Sequence, residues 1–142
     1  MSLVFDTSIL IAIERGDKET INKLKDLYKS YPSSPQLTFI SFFEYLVGLK
    51  IRKNKSFQAN LIFLKKFNVL HTTDSSAEIL SELKIKYDKK GISLSLADLL
   101  SASIVIDNSL ILVTKDKDFE KIEELKKIIL RRCKRIYPKA SK

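Results

Sequence analysis

Cysteine and histidine each occur once in this 142-residue chain, and glycine and proline only three times each. The lone Cys133 forms no internal disulfide, and one thiol with one histidine makes no zinc set. No catalytic partner stands near Cys133 in the sequence, so it is read as inert. His71, at an expected strand end, is read as structural or exposed. So little glycine and proline gives no sign of a linker or low-complexity tail. No apolar run approaches the roughly 20 residues that span a bilayer, so no membrane association is expected. The N-terminus has no basic stretch and an acid interrupts it at Asp6, so no signal peptide is expected. These absences fit a cytoplasmic, reduced protein. The length suits a single domain over residues 1–142, and 44% hydrophobic residues suffice for a core.

Acids are missing from two long segments. Tyr45 to Thr73 holds six bases (Lys50, Arg52, Lys53, Lys55, Lys65 and Lys66) and no acid; Lys126 to Lys142 holds eight bases and no acid. The net charge is +9. Such segments attract polyanions by counterion release, or form a plain solvated surface. Lys50, Arg52, Lys53 and Lys55 are the candidate nucleic-acid-binding residues.

Hydrophobic patterning alternates strands with helices. Short strands are expected at Leu3–Phe5, Leu37–Ile40, Val69–His71, Leu110–Val113 and Lys127–Leu130. Helices are expected at Ile9–Glu14, Lys18–Tyr31, Ser41–Arg52, Phe57–Phe67, Ser75–Tyr87 and Leu96–Ile106, with Ile79, Leu80, Leu83 and Tyr87 buried. This order indicates an α/β fold with a mainly parallel sheet of four or five strands, covered on both faces. Ligands of such sheets gather beyond the carboxyl ends of the strands.

Four isolated acids stand beside the most apolar segments: Asp6 in LVFDTSIL, Glu44 in FISFFEYLVGL, Asp98 in LSLADLLSA and Asp116 in LILVTKDKDF. The topology would bring all four to one sheet edge. Each has an ordinary reading as well. Asp6 and Asp116 suit helix caps, and Ser41-Phe-Phe-Glu44 and Ser95-Leu-Ala-Asp98 have the form of a capping box. The conjunction carries more: carboxylates brought close repel one another, and divalent cations compensate them. Hard oxygen donors select Mg²⁺ or Mn²⁺, which activate water and stabilise charge on a phosphodiester. Gly48, one turn after Glu44, would allow close approach or tight packing. The small face of Asp98, Ser101 and Ala102 leaves room for a metal or for helix–sheet packing.

At these residues the chain resembles the PIN domain family, and within it the VapC-type ribonuclease toxins of toxin–antitoxin pairs. VFDTSILI resembles the family's first strand and aspartate. SFFEYLVGL resembles its S-x-x-E-x-x-x-G segment at Ser41, Glu44 and Gly48. SLADLLSASIVIDNSLILVTKDKDF resembles its aspartate-headed helix, strand and T-x-D/N element. The resemblance implies an α/β/α sandwich, Mg²⁺ or Mn²⁺ dependence and RNA cleavage. It implies metal-binding and catalytic roles for Asp6, Glu44, Asp98 and Asp116, with Ser8 and Thr114 as supporting hydroxyls. Asp118 competes with Asp116 for the fourth carboxylate; Asp116 is favoured because it stands two after Thr114. Asn108 stands where relatives often have glycine, and asparagine tolerates the left-handed conformation.

The expected activity is therefore a metal-dependent endoribonuclease, with a small antitoxin and RNA as partners. Alternatives are a housekeeping RNA-processing nuclease and a non-catalytic RNA- or partner-binding module. A phosphotransfer domain of haloacid-dehalogenase type is ranked low, because Ser8 stands where that family needs a second acid. Phe42, Phe43, Tyr45, Phe57, Phe63 and Phe67 crowd one 26-residue stretch. That crowding, like the resemblance, suggests a homodimer; the alternative is that these aromatics fill the core. A second apolar patch near the active site would receive an antitoxin segment.

Overall fold

The structure, a computed structural model, is described here for residues 1–130. The expected C-terminal basic segment beyond Leu130, including Cys133, lies outside the described residues.

Five short strands form one sheet: β1 (Leu3–Phe5), β2 (Gln36–Thr38), β3 (Asn68–Leu70), β4 (Ile111–Thr114) and β5 (Lys127–Ile129). Their order is β3-β2-β1-β4-β5, and every pairing is parallel. Period-two side-chain alternation decides the layers. Leu3 and Phe5 face one core with Leu37 and Val113, while Val4 and Leu112 face the other. The first core is covered by α1 (Thr7–Glu14), α2 (Lys18–Ser30), α3 (Phe39–Arg52) and α4 (Phe57–Lys65). The second lies under α5 (Asp74–Lys89) and α6 (Leu96–Asp107). A sheet buried on both faces must be apolar on both, as LVF and ILVT are. This is the expected α/β/α sandwich.

The chain builds outward from β1 to β2 and β3, then returns to β4 on the other side. The reversal between β1 and β4 is the switch point where ligands of open parallel sheets bind. Asp6 follows β1 directly, and Asp116 stands two residues past β4.

Three local expectations change. Strand two ends at Thr38, not Ile40, because Thr38 Oγ1 accepts the Ser41 N–H at 3.2 Å and caps α3. Ser41 is therefore inside the helix, and the capping box expected for Ser41 and Glu44 does not form. The left-handed residue before β4 is Ser109 (φ 54°), while Asn108 is the helix cap with φ −90°. Ile79 and Leu80 of α5 are half-buried, and Leu83 and Tyr87 are buried as expected.

Five of the six clustered aromatics belong to the core. Tyr45 is buried, and Phe42, Phe57, Phe63 and Phe67 pack against the first core; only Phe43 is exposed. Aromatic excess therefore does not argue for a dimer. Gly48 needs no special space either: a Cβ there would meet only Arg52 Nη2, at 3.9 Å.

Candidate metal centre

Asp6 is the N-cap residue of α1, yet its side chain makes no capping bond. Its Oδ2 accepts instead from Ser8 Oγ at 3.0 Å and Thr114 Oγ1 at 2.8 Å. Each hydroxyl in turn accepts a backbone N–H. Lys115 donates to Ser8 Oγ at 2.9 Å, and Asp116 donates to Thr114 Oγ1 at 3.0 Å. A hydroxyl has one proton to give. With their acceptor sides taken by the β4 loop, both protons point at Asp6. The carboxylate is only 8% exposed and is tied to the end of β4.

Asp98 stands in the first turn of α6, where its N–H donates to Ser95 Oγ at 3.1 Å. This is the capping interaction expected from the sequence. Burial raises its pKa above the ordinary value; the Ser95 hydrogen bond opposes this, and the neighbouring charges of Asp116, Asp6 and Asp118 add to it. Asp116 caps the short 3₁₀ helix Lys117–Lys121, its Oδ1 accepting from the Asp118 N–H at 2.9 Å. Carboxylate oxygens of Asp98, Asp116 and Asp118 lie within 4.8 Å of one another. Asp118 is exposed and pairs with Lys121 at 3.3 Å. Asp98 and Asp116 have no basic partner among the described residues.

Glu44 occupies the second turn of α3, and its Oε1 accepts from Thr7 Oγ1 at 3.0 Å. It is exposed and outside the three-aspartate cluster. Lower on the same pair of helices, Glu14 receives Arg52 Nη1 at 2.6 Å, Asn60 Nδ2 at 2.7 Å and Tyr45 Oη at 3.1 Å. Thus α1 and α3 are fixed side by side at both ends, which holds Glu44 next to the start of α1. Arg52 is ion-paired with Glu14 and remains exposed. Lys50, Lys53 and Lys55 are exposed. Lys53 caps α3 in the left-handed conformation (φ 39°). The six to nine residues separating Lys50 and Lys53 from Glu44 span about 9–14 Å of helix axis. These lysines therefore flank the acidic edge at a distance. His71 is exposed, and its ring lies against Phe39, at 5.7 Å between centroids.

A PIN domain model matches residues 3–125. The chain belongs to the PIN domain family. It is 32% identical over 104 residues to Ribonuclease VapC3 of Methanocaldococcus jannaschii, an alignment covering 73% of this chain and 98% of that protein. Its fold is similar to a chain of VapBC2 from Rickettsia felis, solved bound to a promoter DNA fragment: TM-score 0.77 and 26% identity, over 92% of this chain and 99% of that one. It is also similar to a chain of a toxin–antitoxin complex from Klebsiella pneumoniae, with TM-score 0.68 and 27% identity, over 87% of this chain and 95% of that one.

Within this PIN domain, the sequence does not reveal the partners of three hydroxyls and a lysine. Thr7 was overshadowed by Asp6 and Ser8, although an α1 hydroxyl directly after the aspartate is a visible signal. Thr38 and Ser101 stand 3.5 Å apart between the starts of α3 and α6. Nothing in their separate segments announces that meeting. Lys115, between Thr114 and Asp116, reads as one more surface lysine until its partners are seen. Its ammonium lies 3.0 Å from Asp17 Oδ2 and 3.0 Å from Thr20 Oγ1.

Proposed function

We propose that this PIN domain is a metal-dependent endoribonuclease, the toxin of a type II toxin–antitoxin pair. One observation carries the reading: Asp98 and Asp116, with Asp118, converge within 4.8 Å beside Asp6, with no cation on the first two. Carboxylates crowded in this way demand positive charge, and their hard oxygens suit Mg²⁺ or Mn²⁺. Asp98 and Asp116 would hold the ion, with Asp6 and Asp118 beside them and Glu44 acting at the substrate side or through water. A divalent cation there supplies Lewis acidity to a phosphoryl oxygen and to water. The chain's own part is positional. Ser8 and Thr114 aim Asp6, the cap on α6 fixes Asp98, and Thr7 steadies Glu44. Water adds to phosphorus, a P–O bond of the RNA backbone breaks, and the leaving oxygen takes a proton.

The 32% identity to a ribonuclease over nearly its whole length supports the substrate. The likeness to toxins solved with their antitoxins supports the partner. The deciding experiment incubates the protein with total cellular RNA in EDTA, then in Mg²⁺ or Mn²⁺. Cleavage should require the metal; metal-independent cleavage, or none in any condition, refutes the assignment.

Self-association is proposed on a different basis from aromatic excess. Phe39, Phe43, Val47 and Ile51 recur every fourth residue of α3, and all are exposed, Phe43 by 52% and Ile51 by 78%. An apolar stripe of this kind suits an isologous homodimer. Sedimentation equilibrium at micromolar concentration tests it: a single 16.3 kDa species rules the dimer out.

A further inference from the structure

A second surface opens beside the acids. Ser8, Ile11, Ala12 and Arg15 of the α1 segment line a cleft of about 480 Å³, together with Asp17 and Lys115. Spacings of three and four residues put the first four in one row along the helix. The row begins at Ser8, which donates to Asp6, and ends at Arg15, about 10 Å further along the axis. The cleft thus leads directly away from the acidic edge. Its size falls within the roughly 300–1,000 Å³ of small-ligand sites.

Its chemistry is uneven. Ile11 and Ala12 supply apolar surface, and Arg15 and Lys115 supply two cations against the single acid Asp17. Arg15 is exposed, and its guanidinium makes no ion pair or hydrogen bond among the described residues. Lys115 is fixed by Asp17 and Thr20. Hydrogen bonds from Thr20 and then Lys115 hold the Asp17 carboxyl down at about 2, so it stays charged at neutral pH. Lys115 is the chain neighbour of Asp116, and its N–H reaches Ser8. Asp17 and Thr20 hold the Lys115 ammonium in the cleft. An ammonium has three donors, and these two partners leave one unassigned.

On the ribonuclease reading, we propose that this cleft is a subsite for the RNA nucleotide flanking the scissile phosphodiester. Arg15 and Lys115 contact its phosphate, and its base or sugar lies over Ile11. One unpaired cation, Arg15, and the one unassigned donor of Lys115 stand beside an apolar floor, one step from a phosphodiester-cleaving edge, and fit that ligand. A protein segment would use the apolar floor but has less need of two cations lining the same cleft.

The test is steady-state cleavage of a fluorescent oligoribonucleotide by the wild type, Arg15→Gln, Arg15→Lys and Lys115→Gln, each shown to melt like the wild type. Arg15→Gln should raise KM about tenfold, the loss of one charge-assisted contact. Its kcat should stay within about twofold. The slope of log KM against log salt should fall by about 0.7, one phosphate contact to a single strand. Arg15→Lys should restore most of the slope, and Lys115→Gln should raise KM as well. If the wild type cleaves and neither Gln variant changes KM or slope, the subsite is wrong and the ribonuclease reading stands. A fall in kcat alone overturns the subsite too. So does unchanged KM with lost inhibition by the co-expressed antitoxin, which assigns the cleft to protein docking. If the wild type does not cleave RNA, both readings fall together.

Discussion

Replacing Thr114 by valine removes one oxygen from the centre of the hydroxyl scaffold and keeps the side-chain shape. Thr114 is fully buried; its Oγ1 donates to Asp6 Oδ2 at 2.8 Å and accepts the Asp116 N–H at 3.0 Å. Losing the bond to a carboxylate costs about 1.5–3 kcal/mol, and the stranded N–H adds about 1–3 kcal/mol if no water reaches it. The Ser8 bond to Asp6 survives, and the new methyl group recovers up to about 1 kcal/mol. The net loss is about 2–5 kcal/mol. Unfolding entropy for 142 residues is about 0.3 kcal/mol/K, so the melting temperature should fall by about 7–17 °C. With Asp6 held by one bond instead of two, metal affinity and cleavage should fall about 10- to 100-fold, as when a partner of a ligand is removed. Calorimetric melting in EDTA, metal titration and RNA cleavage measure the three effects. Thr114→Ser keeps the oxygen and should retain most of the activity. If Thr114→Val matches the wild type in metal affinity and rate, the scaffold does not orient the site.

Asp98→Asn should abolish cleavage yet leave the protein at least as stable in EDTA at pH 7. Because the folded-state pKa of Asp98 is raised, its ionisation costs stability as pH rises through that value, and below the unfolded pKa of 3.8 the difference should vanish; calorimetry at the two pH values checks the sign. Asp116→Asn should reduce metal affinity more than Asp118→Asn, because Asp118 is exposed and shares its charge with Lys121; equal losses by isothermal titration would make the two acids equivalent ligands. Asp17, held at about 2 against an ordinary 3.8, contributes stability that is full above 3.8 and lost as pH falls toward 2. Asp17→Asn should flatten acid unfolding across that window, and an unchanged acid profile refutes this. Joint replacement of Lys50, Lys53 and Lys55 by glutamine should lower the salt slope of RNA binding by up to about 2, at 0.7 per phosphate contact; no change makes them a solvated face.

The sequence by itself determined the layers. Apolar runs of three or four residues with both faces buried could only be interior parallel strands, and the helix periods between them fixed the α/β alternation. It also singled out Asp6, Asp98 and Asp116, because a lone acid at the end of an apolar run is conspicuous. Local rules failed where two groups competed for one role. Ser41 and Thr38 both suit an N-cap, and Thr38 took it because β2 ends there, carrying Glu44 into the second turn. Asn108 and Ser109 both suit the turn before β4, and Ser109 took the left-handed position. Only the tertiary structure decided which groups meet across long separations. Thr114 aims at Asp6, and the Lys115 N–H reaches Ser8, because β1 and β4 are neighbours; Arg52 is held by Glu14 because α1 and α3 lie side by side. Lys115 faces a cleft instead of the acids because Asp17 begins the next helix. Hydrophobic periodicity records which face of a segment is buried, but hydrogen-bond and charge partners depend on strand order, which no short stretch of sequence contains.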